Sequence, residues 1–492
     1  MLFNSPEFIF AFLPVAFLVY FGLNALRLNI IARAWLVGCN LFFYAWWTLD
    51  YLPLLLISMA FNYAVGSELG RMVRRERTRV SPKLVLAAGI AANLGALGYY
   101  KYADFALRNW DALTGQSHPA LNILLPLAIS FFTFQQIAYL VDSYRGETSE
   151  YNLLNYALFV SFFPQLIAGP IVHHSEMMTQ FAARRNVILN KRNVLGGIII
   201  FALGLFKKVV VADTFAGWAD AGFDGAQTLD FFAAWGASLS YTFQLYFDFS
   251  GYCDMAYGAA LMFNIRLPIN FFSPYKALDI QDFWRRWHIT LGRFLRDYVY
   301  IPLGGNRSGE FRTYQNLIVT FTLGGLWHGA SWMFVIWGLM HGVALALHRG
   351  WKALGLRMPR PLAWIVTFLF VNTAWVFFRA TDMASARRVL AGMVDVGSIT
   401  GLRLADLPVT DLAWGGTLIG TLSRMLPAGL VAQAPVWAAI VVAFVLIACR
   451  NTYEIVTTRP SYGLTVAASV LFVIAVHVML ASTSAVFLYF NF

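Results

Sequence analysis

The chain has 492 residues, of which 59% are hydrophobic, 16% aromatic and only 12% charged, well below the roughly 25% charged share of an ordinary soluble domain. That balance excludes a soluble globular enzyme and points to an all-α, polytopic membrane protein. The formal charge of +11 does not indicate nucleic acid, because the basic residues cluster beside apolar segments rather than along a soluble face.

The opening "MLFNSPEFIFAFLPVAFLVYFGLN" has no basic n-region and no evident cleavage site, so it is expected to be a retained first helix behind an interfacial turn. Apolar stretches that approach the roughly 20 residues needed to cross a bilayer lie at 8–24, 31–49, 84–100, 121–141, 194–212, 231–247, 315–347, 362–378, 434–449 and 463–490. They predict about eleven spanning helices, with re-entrant and interfacial helices between them. Between the early stretches, "RMVRRERTRVSPK" (71–83) carries six basic residues and one acid, which assigns that loop to the cytoplasm by the positive-inside rule. Residues 181–192 and 264–312 are expected on the same side. The loop 111–120, with no basic residue, is expected outside. Cys39, Cys253 and Cys449 show no Cys-x-x-Cys spacing and read as small buried residues rather than a disulfide framework or zinc site.

The chain reads as a single membrane domain over 1–492, with its informative motifs between 120 and 345. Residues 142–193 and 251–314 combine aromatics, prolines and charge, as suits helices that lie in the interface or dip partway into the protein. Residues 380–433 read as an external variable loop.

"SPYKALDIQDFWRRWHITLGRFLRDYVYIPLGGNR" (273–307) is the richest segment. As a continuous helix from Asp279 it would place Arg285, Gly292 and Arg296 on one stripe, pair Asp282 with Arg286 and Arg293 with Asp297, and offer Trp284, Trp287 and Leu291 as apolar flanks. A strand-like tail with Asn306 would follow. One reading is a basic amphipathic helix on anionic lipid. The other is a set of guanidiniums for a phosphate-bearing donor such as coenzyme A or a phosphopantetheine arm. The lipid reading does not explain His288 in its middle, nor the strand-like tail.

Polar residues also sit at membrane depth. Gln244, Asp248 and Asp254 lie in "YTFQLYFDFSGYCDM" and Gln165 in "SFFPQLIAGPI", where interhelical hydrogen bonding competes with a substrate path as the reason for their presence. "TLGGLWHGASW" (322–332) places His328 between glycines and tryptophans, and "GLMHG" (338–342) repeats the pattern with His341. On one straight helix the two imidazoles would be roughly 20 Å apart along the axis and about 140° around it, unable to serve one centre. Close helix packing is the alternative use of such glycines.

Together "FFTFQQIAYLVDSYRG", "FPQLIAGPI", "GLFKKVVVADTFA", "QLYFDFSGYCDMAYG", "DFWRRWHITLGRFLRDYVYIPLGGNR", "LGGLWHGASWMFVIWGLMHG" and "FLYFNF" closely resemble the membrane-bound O-acyltransferase family, in its bacterial alginate O-acetyltransferase branch. The resemblance implies that His328 is the catalytic histidine and that His288 fills a second conserved polar position. It implies a disc of helices with a central tunnel, reached by a thioester from the cytoplasm and by an acceptor from outside. It also implies a bacterial inner-membrane location, and as partners membrane lipid, periplasmic acetyltransferase proteins and a polysaccharide biosynthesis complex. Cys253 stands where the branch commonly has Ser, and 380–433 matches least.

Transfer of acetyl from a thioester to a hydroxyl needs a base, stabilisation of an oxyanion and exclusion of water. A buried neutral imidazole can serve as the base, with neither a metal nor a tightly bound cofactor. The expectation is therefore His328 as base, His288 as orienting partner, Arg285, Arg286, Arg293 and Arg296 at the donor entrance, and Trp327 and Trp332 lining the tunnel. Trp284, Trp287, Asn306, Gln244 and Asp248 complete the candidate binding residues, with acetyl-coenzyme A or a carrier thioester as donor. A transporter of acetyl groups or polysaccharide is the competing class, although no inverted repeat is evident. Alginate, cellulose and teichoic acid all stand as acceptors.

Overall fold

The computed structural model describes residues 1–74, 80–148, 152–225, 227–401, 428–457, 461–482 and 488. The long helices are α1 (Phe8–Ala25), α2 (Asn29–Ala45), α3 (Leu52–Arg74), α4 (Pro82–Thr114), α5 (Ile129–Tyr144), α6 (Leu153–Ser161), α7 (His174–Ala182), α8 (Lys191–Asp224) and α9 (Phe231–Met262). After two short helices, α10 (Ile280–Trp284) and α11 (Ile289–Leu295), come α12 (Glu310–His328), α13 (Trp332–Ala353), α14 (Arg360–Arg379), α15 (Met383–Val394), α16 (Ala434–Ala448) and α17 (Tyr462–Ala481). No strand occurs among the described residues.

Six of these helices are long and apolar enough to cross a bilayer, fewer than the eleven or so expected. One of the six, α3, has no counterpart among the apolar stretches, because polar residues interrupt its sequence. The buried amides of Asn62 on α3 and Asn93 on α4 satisfy each other at 2.7 and 3.1 Å, which makes a polar residue at this depth an interhelical tie.

The apolar stretch at 121 becomes helical only at Ile129; Pro119 and Pro126 interrupt the preceding residues, which are not helical. The stretch 315–347 is two antiparallel helices, α12 and α13, rather than one. Glycines allow this: a Cβ on Gly338 would lie 2.3 Å from the Phe321 carbonyl oxygen, and one on Gly342 2.7 Å from Ile318 Cα. The same device joins α8 to α9, where a Cβ on Gly197 or Gly204 would lie 2.6 Å from the carbonyl oxygen of Gly258 or Gly251. Almost wholly buried, α9 forms the spine of the core.

Residues 383–394 of the expected external loop form α15, tied to α9 by the Trp235 indole donating to Met393 O at 3.0 Å. Its remainder from 402 to 427 lies outside the described residues, as does most of "FLYFNF". Cys39 and Cys253 are buried and Cys449 is exposed, so the third cysteine departs from the expected burial.

Candidate active site

α12 runs inward from Glu310 and ends on His328, after about 28 Å of helical rise. Three residues later the chain reverses into α13, so His328 occupies the turn of a buried hairpin with 2% of its surface exposed. Its ring is enclosed by Trp327 at 4.9 Å, Phe378 at 5.1 Å and Trp337 at 5.2 Å between centroids.

His288 faces it, with ring centroids 6.4 Å apart. The continuous helix expected through this residue does not form. α10 ends at Trp284 and α11 starts at Ile289, and His288 between them adopts the left-handed conformation (φ 42°, ψ 53°). The guanidinium stripe therefore does not exist. Asn270 holds the break: its side-chain oxygen accepts from His288 Nδ1 at 3.1 Å, Thr290 N at 3.2 Å and Thr290 Oγ1 at 3.0 Å. With Nδ1 donating, Nε2 is the acceptor atom of the neutral ring. Asn270 went unnoticed in the sequence, where an amide in "LPINFF" carries no local signal.

The hairpin also draws in His341, which a straight helix would have kept away. Its ring lies 4.8 Å from Trp337, itself 5.2 Å from His328. The Trp284 indole donates to His341 Nδ1 at 3.2 Å. An indole nitrogen only donates, so the His341 proton is on Nε2.

A cavity of about 540 Å³ lies on the basic side of this cluster, between α10, α11, the start of α12 and the end of α13. Trp284, Arg296, Thr320, His348, Arg349 and Lys352 are among its walls. Trp284 closes its inner end, 5.8 Å from Trp337, so two indoles, Trp284 and Trp337, separate cavity and catalytic candidate. Beyond the hairpin turn a second cavity of about 210 Å³ is bounded by Tyr99, Lys101, Asp104, Gly329 and Ala330 among others. His328 thus sits between two cavities at opposite ends of the hairpin. A larger, apolar hollow of about 670 Å³ between α1 and α2 lies apart from the histidines.

Of the four candidate arginines, only Arg296 lines the basic cavity, with Asp297 beside it at 2.7 Å. Arg285 is exposed and outside it. Arg286 makes the expected pair with Asp282 at 2.9 Å. Arg293 instead clamps Glu176 of α7 at 2.6 and 3.1 Å, a long-range partner that displaces the expected Asp297. Arg349 and Lys352, missed in the sequence, supply the remaining cationic wall. Arg349 forks onto Glu310 at 2.8 Å through both nitrogens.

Trp327 is buried beside both histidines, whereas Trp332 is 57% exposed and donates to Asn109 at 2.8 Å, so it does not line an interior path. Trp287 is buried against Trp375 at 4.9 Å. The strand-like tail is a wide helical turn followed by tight turns, and Asn306 is exposed on it. Asp248 is engaged in an ion pair with buried Lys208 at 2.8 Å, which also contacts Asp213 at 2.6 Å. This cluster ties α8 to α9. Gln244 is buried one turn earlier on the same helix. Among the described residues no group of His, Cys, Asp and Glu side chains could hold a metal ion.

Residues 51–386 match the membrane-bound O-acyltransferase family. The chain is 48% identical to the peptidoglycan O-acetyltransferase of Helicobacter pylori, over 100% of this chain and 98% of the relative. It is 41% identical to the probable alginate O-acetylase AlgI of Pseudomonas aeruginosa, over 86% and 79%. The teichoic acid D-alanyltransferase of Streptococcus thermophilus is 29% identical, over 47% and 58%.

Proposed function

The chain belongs to the membrane-bound O-acyltransferase family, and from that premise we propose that it carries acetyl from a cytoplasmic thioester to a hydroxyl of a cell-envelope glycan, with His328 as general base. The observation that carries the proposal is the position of His328 at the hairpin turn, between a cationic cavity and a smaller one beyond it. The basic cavity opens toward the side that the positive-inside rule assigns to the cytoplasm. At about 540 Å³ it suits a pantetheine arm whose phosphates meet Arg296, Arg349 and Lys352.

In the reaction the acceptor hydroxyl gives its proton to the His328 imidazole as its oxygen attacks the thioester carbonyl carbon. The tetrahedral intermediate collapses with cleavage of the C–S bond, and the leaving thiolate takes the proton back from the imidazolium. General-base help of this kind is typically worth about 10²- to 10⁴-fold. The indole N–H groups of Trp327 and Trp337, buried beside the imidazole and lacking an acceptor among the described residues, suit the oxyanion. His288 orients the reactants through Nε2.

For the acceptor we favour peptidoglycan, because the relative named for it aligns with the whole chain. An alginate-like exopolysaccharide is the second reading, supported by 41% identity over 86% of the chain. In either case the hydroxyl that reacts at His328 belongs to a partner acetyltransferase outside an inner membrane, which hands the acetyl group on to the glycan. Family membership favours this chemistry over a transporter. The test is ester-linked acetate in a bacterium lacking its own copy, complemented with wild type or His328→Ala at equal membrane levels. Acetate should appear on purified sacculi with wild type alone. Its appearance only on secreted polymer would support the second reading, and its absence from both would end the proposal.

A further inference from the structure

A helix leaves the carbonyls of its last turn without partners, and the common remedy is a left-handed glycine whose backbone folds back to cap them. α12 cannot use it. Gly329, the residue after His328, is extended (φ −166°, ψ 152°), because the chain must enter α13 within three residues. A Cβ there would strike the Phe334 ring at 2.2 Å.

The cap comes instead from the wide turn Gly98–Tyr102 in α4. Lys101 Nζ donates to Trp327 O at 2.5 Å, His328 O at 3.2 Å and Ser130 Oγ at 3.1 Å, and the Tyr102 hydroxyl donates to Leu326 O at 2.9 Å. Three successive carbonyls are satisfied from outside, ending on the histidine itself. The ammonium also meets the negative end of the helix dipole and lies 5.8 Å from the Trp327 ring centroid. All three of its N–H bonds are engaged, so it has none to give to a substrate.

We propose that Lys101 is a positioning residue that acts through His328, fixing the main chain of the hairpin turn and with it the imidazole between the two cavities. The inference rests on His328 as base. Misplacement of a reacting group by about 1 Å can cost 10²-fold, so loss of this clamp should lower turnover while leaving the donor cavity, on the far side of Trp284, unchanged.

The experiment uses membrane vesicles of a complemented strain, radiolabelled acetyl-coenzyme A as donor, and base-labile acetate on polymer as readout, per folded protein. Lys101→Met should lower kcat about 10- to 100-fold with donor KM within twofold of wild type. In the His328→Gln background Lys101→Met should change the residual rate by less than twofold, the non-additivity expected of residues acting as one unit. Lys101→Cys treated with bromoethylamine, which rebuilds an ammonium side chain, should recover at least half of the lost activity, against treated wild type as control. If Lys101→Met does not accumulate, Lys101→Arg carries the cation farther out and should show the same loss of kcat with KM kept.

Wild-type kcat in Lys101→Met or Lys101→Arg would overturn the inference, as would an additive loss in the double variant. A His328→Gln protein with full kcat would instead overturn the base assignment.

Discussion

Replacing Asn270 by Ala removes the acceptor that holds the break at His288. Three donors converge on its side-chain oxygen at 3.0 to 3.2 Å, and both His288 and Thr290 are buried. Each buried donor left unsatisfied costs about 1–3 kcal/mol, although relaxation will find new partners for some. The left-handed backbone of His288 adds about 1–3 kcal/mol of strain that the surroundings no longer enforce, so part of it is relieved in the variant. The net expectation is a loss of about 3 kcal/mol in stability, with the imidazole displaced from its 6.4 Å spacing to His328. Reversible unfolding in mixed micelles measures the first, and acetyl transfer at saturating donor the second. Transfer should fall at least tenfold even below the temperature where the variant unfolds. Unchanged stability together with unchanged turnover would refute the reasoning that Asn270 sets the geometry of this break.

Other consequences are more local. Arg296→Ala, Arg349→Ala and Lys352→Ala should each raise donor KM about fivefold, more at low salt, whereas Arg285→Ala, outside the cavity, should leave it within twofold; steady-state kinetics at two ionic strengths checks this. Gly338→Leu places a branched side chain where a Cβ already meets Phe321 O at 2.3 Å, so the hairpin must open, and both folded yield and transfer should be lost. Lys208→Met leaves the Asp213 and Asp248 carboxylates facing each other without their shared cation, and should destabilise by about 3–5 kcal/mol, read as lower folded yield with unchanged donor KM in what remains.

Local chemistry was legible in the sequence and long-range chemistry was not. The pair Asp282–Arg286 follows from helical spacing alone. Arg293 obeys the same rule on paper, yet takes Glu176, because a better bidentate partner arrives from another helix. His328 stood out as an imidazole in an apolar run, but the run 315–347 reads as one stretch, and only the folded hairpin shows the reversal that brings His341 within one indole. Lys101, in the tyrosine-rich stretch "GYYKY", was not singled out in the sequence. Its role lies in carbonyls more than two hundred positions away, which carry no sequence signal of their own. Likewise the helix expected to run through His288 is broken by long-range ties, from His288 to the Asn270 side chain and from Phe272 N to Arg286 O.

The central claim is that His328 takes the acceptor proton. Its most direct test is single-turnover acetyl transfer by His328→Gln, in membranes holding the same amount of folded protein as wild type and saturated with donor. The account predicts a rate lower by 10²-fold or more with donor binding intact. A His328→Gln protein that transfers acetyl at the wild-type rate would contradict it, and would leave the buried hairpin as packing alone.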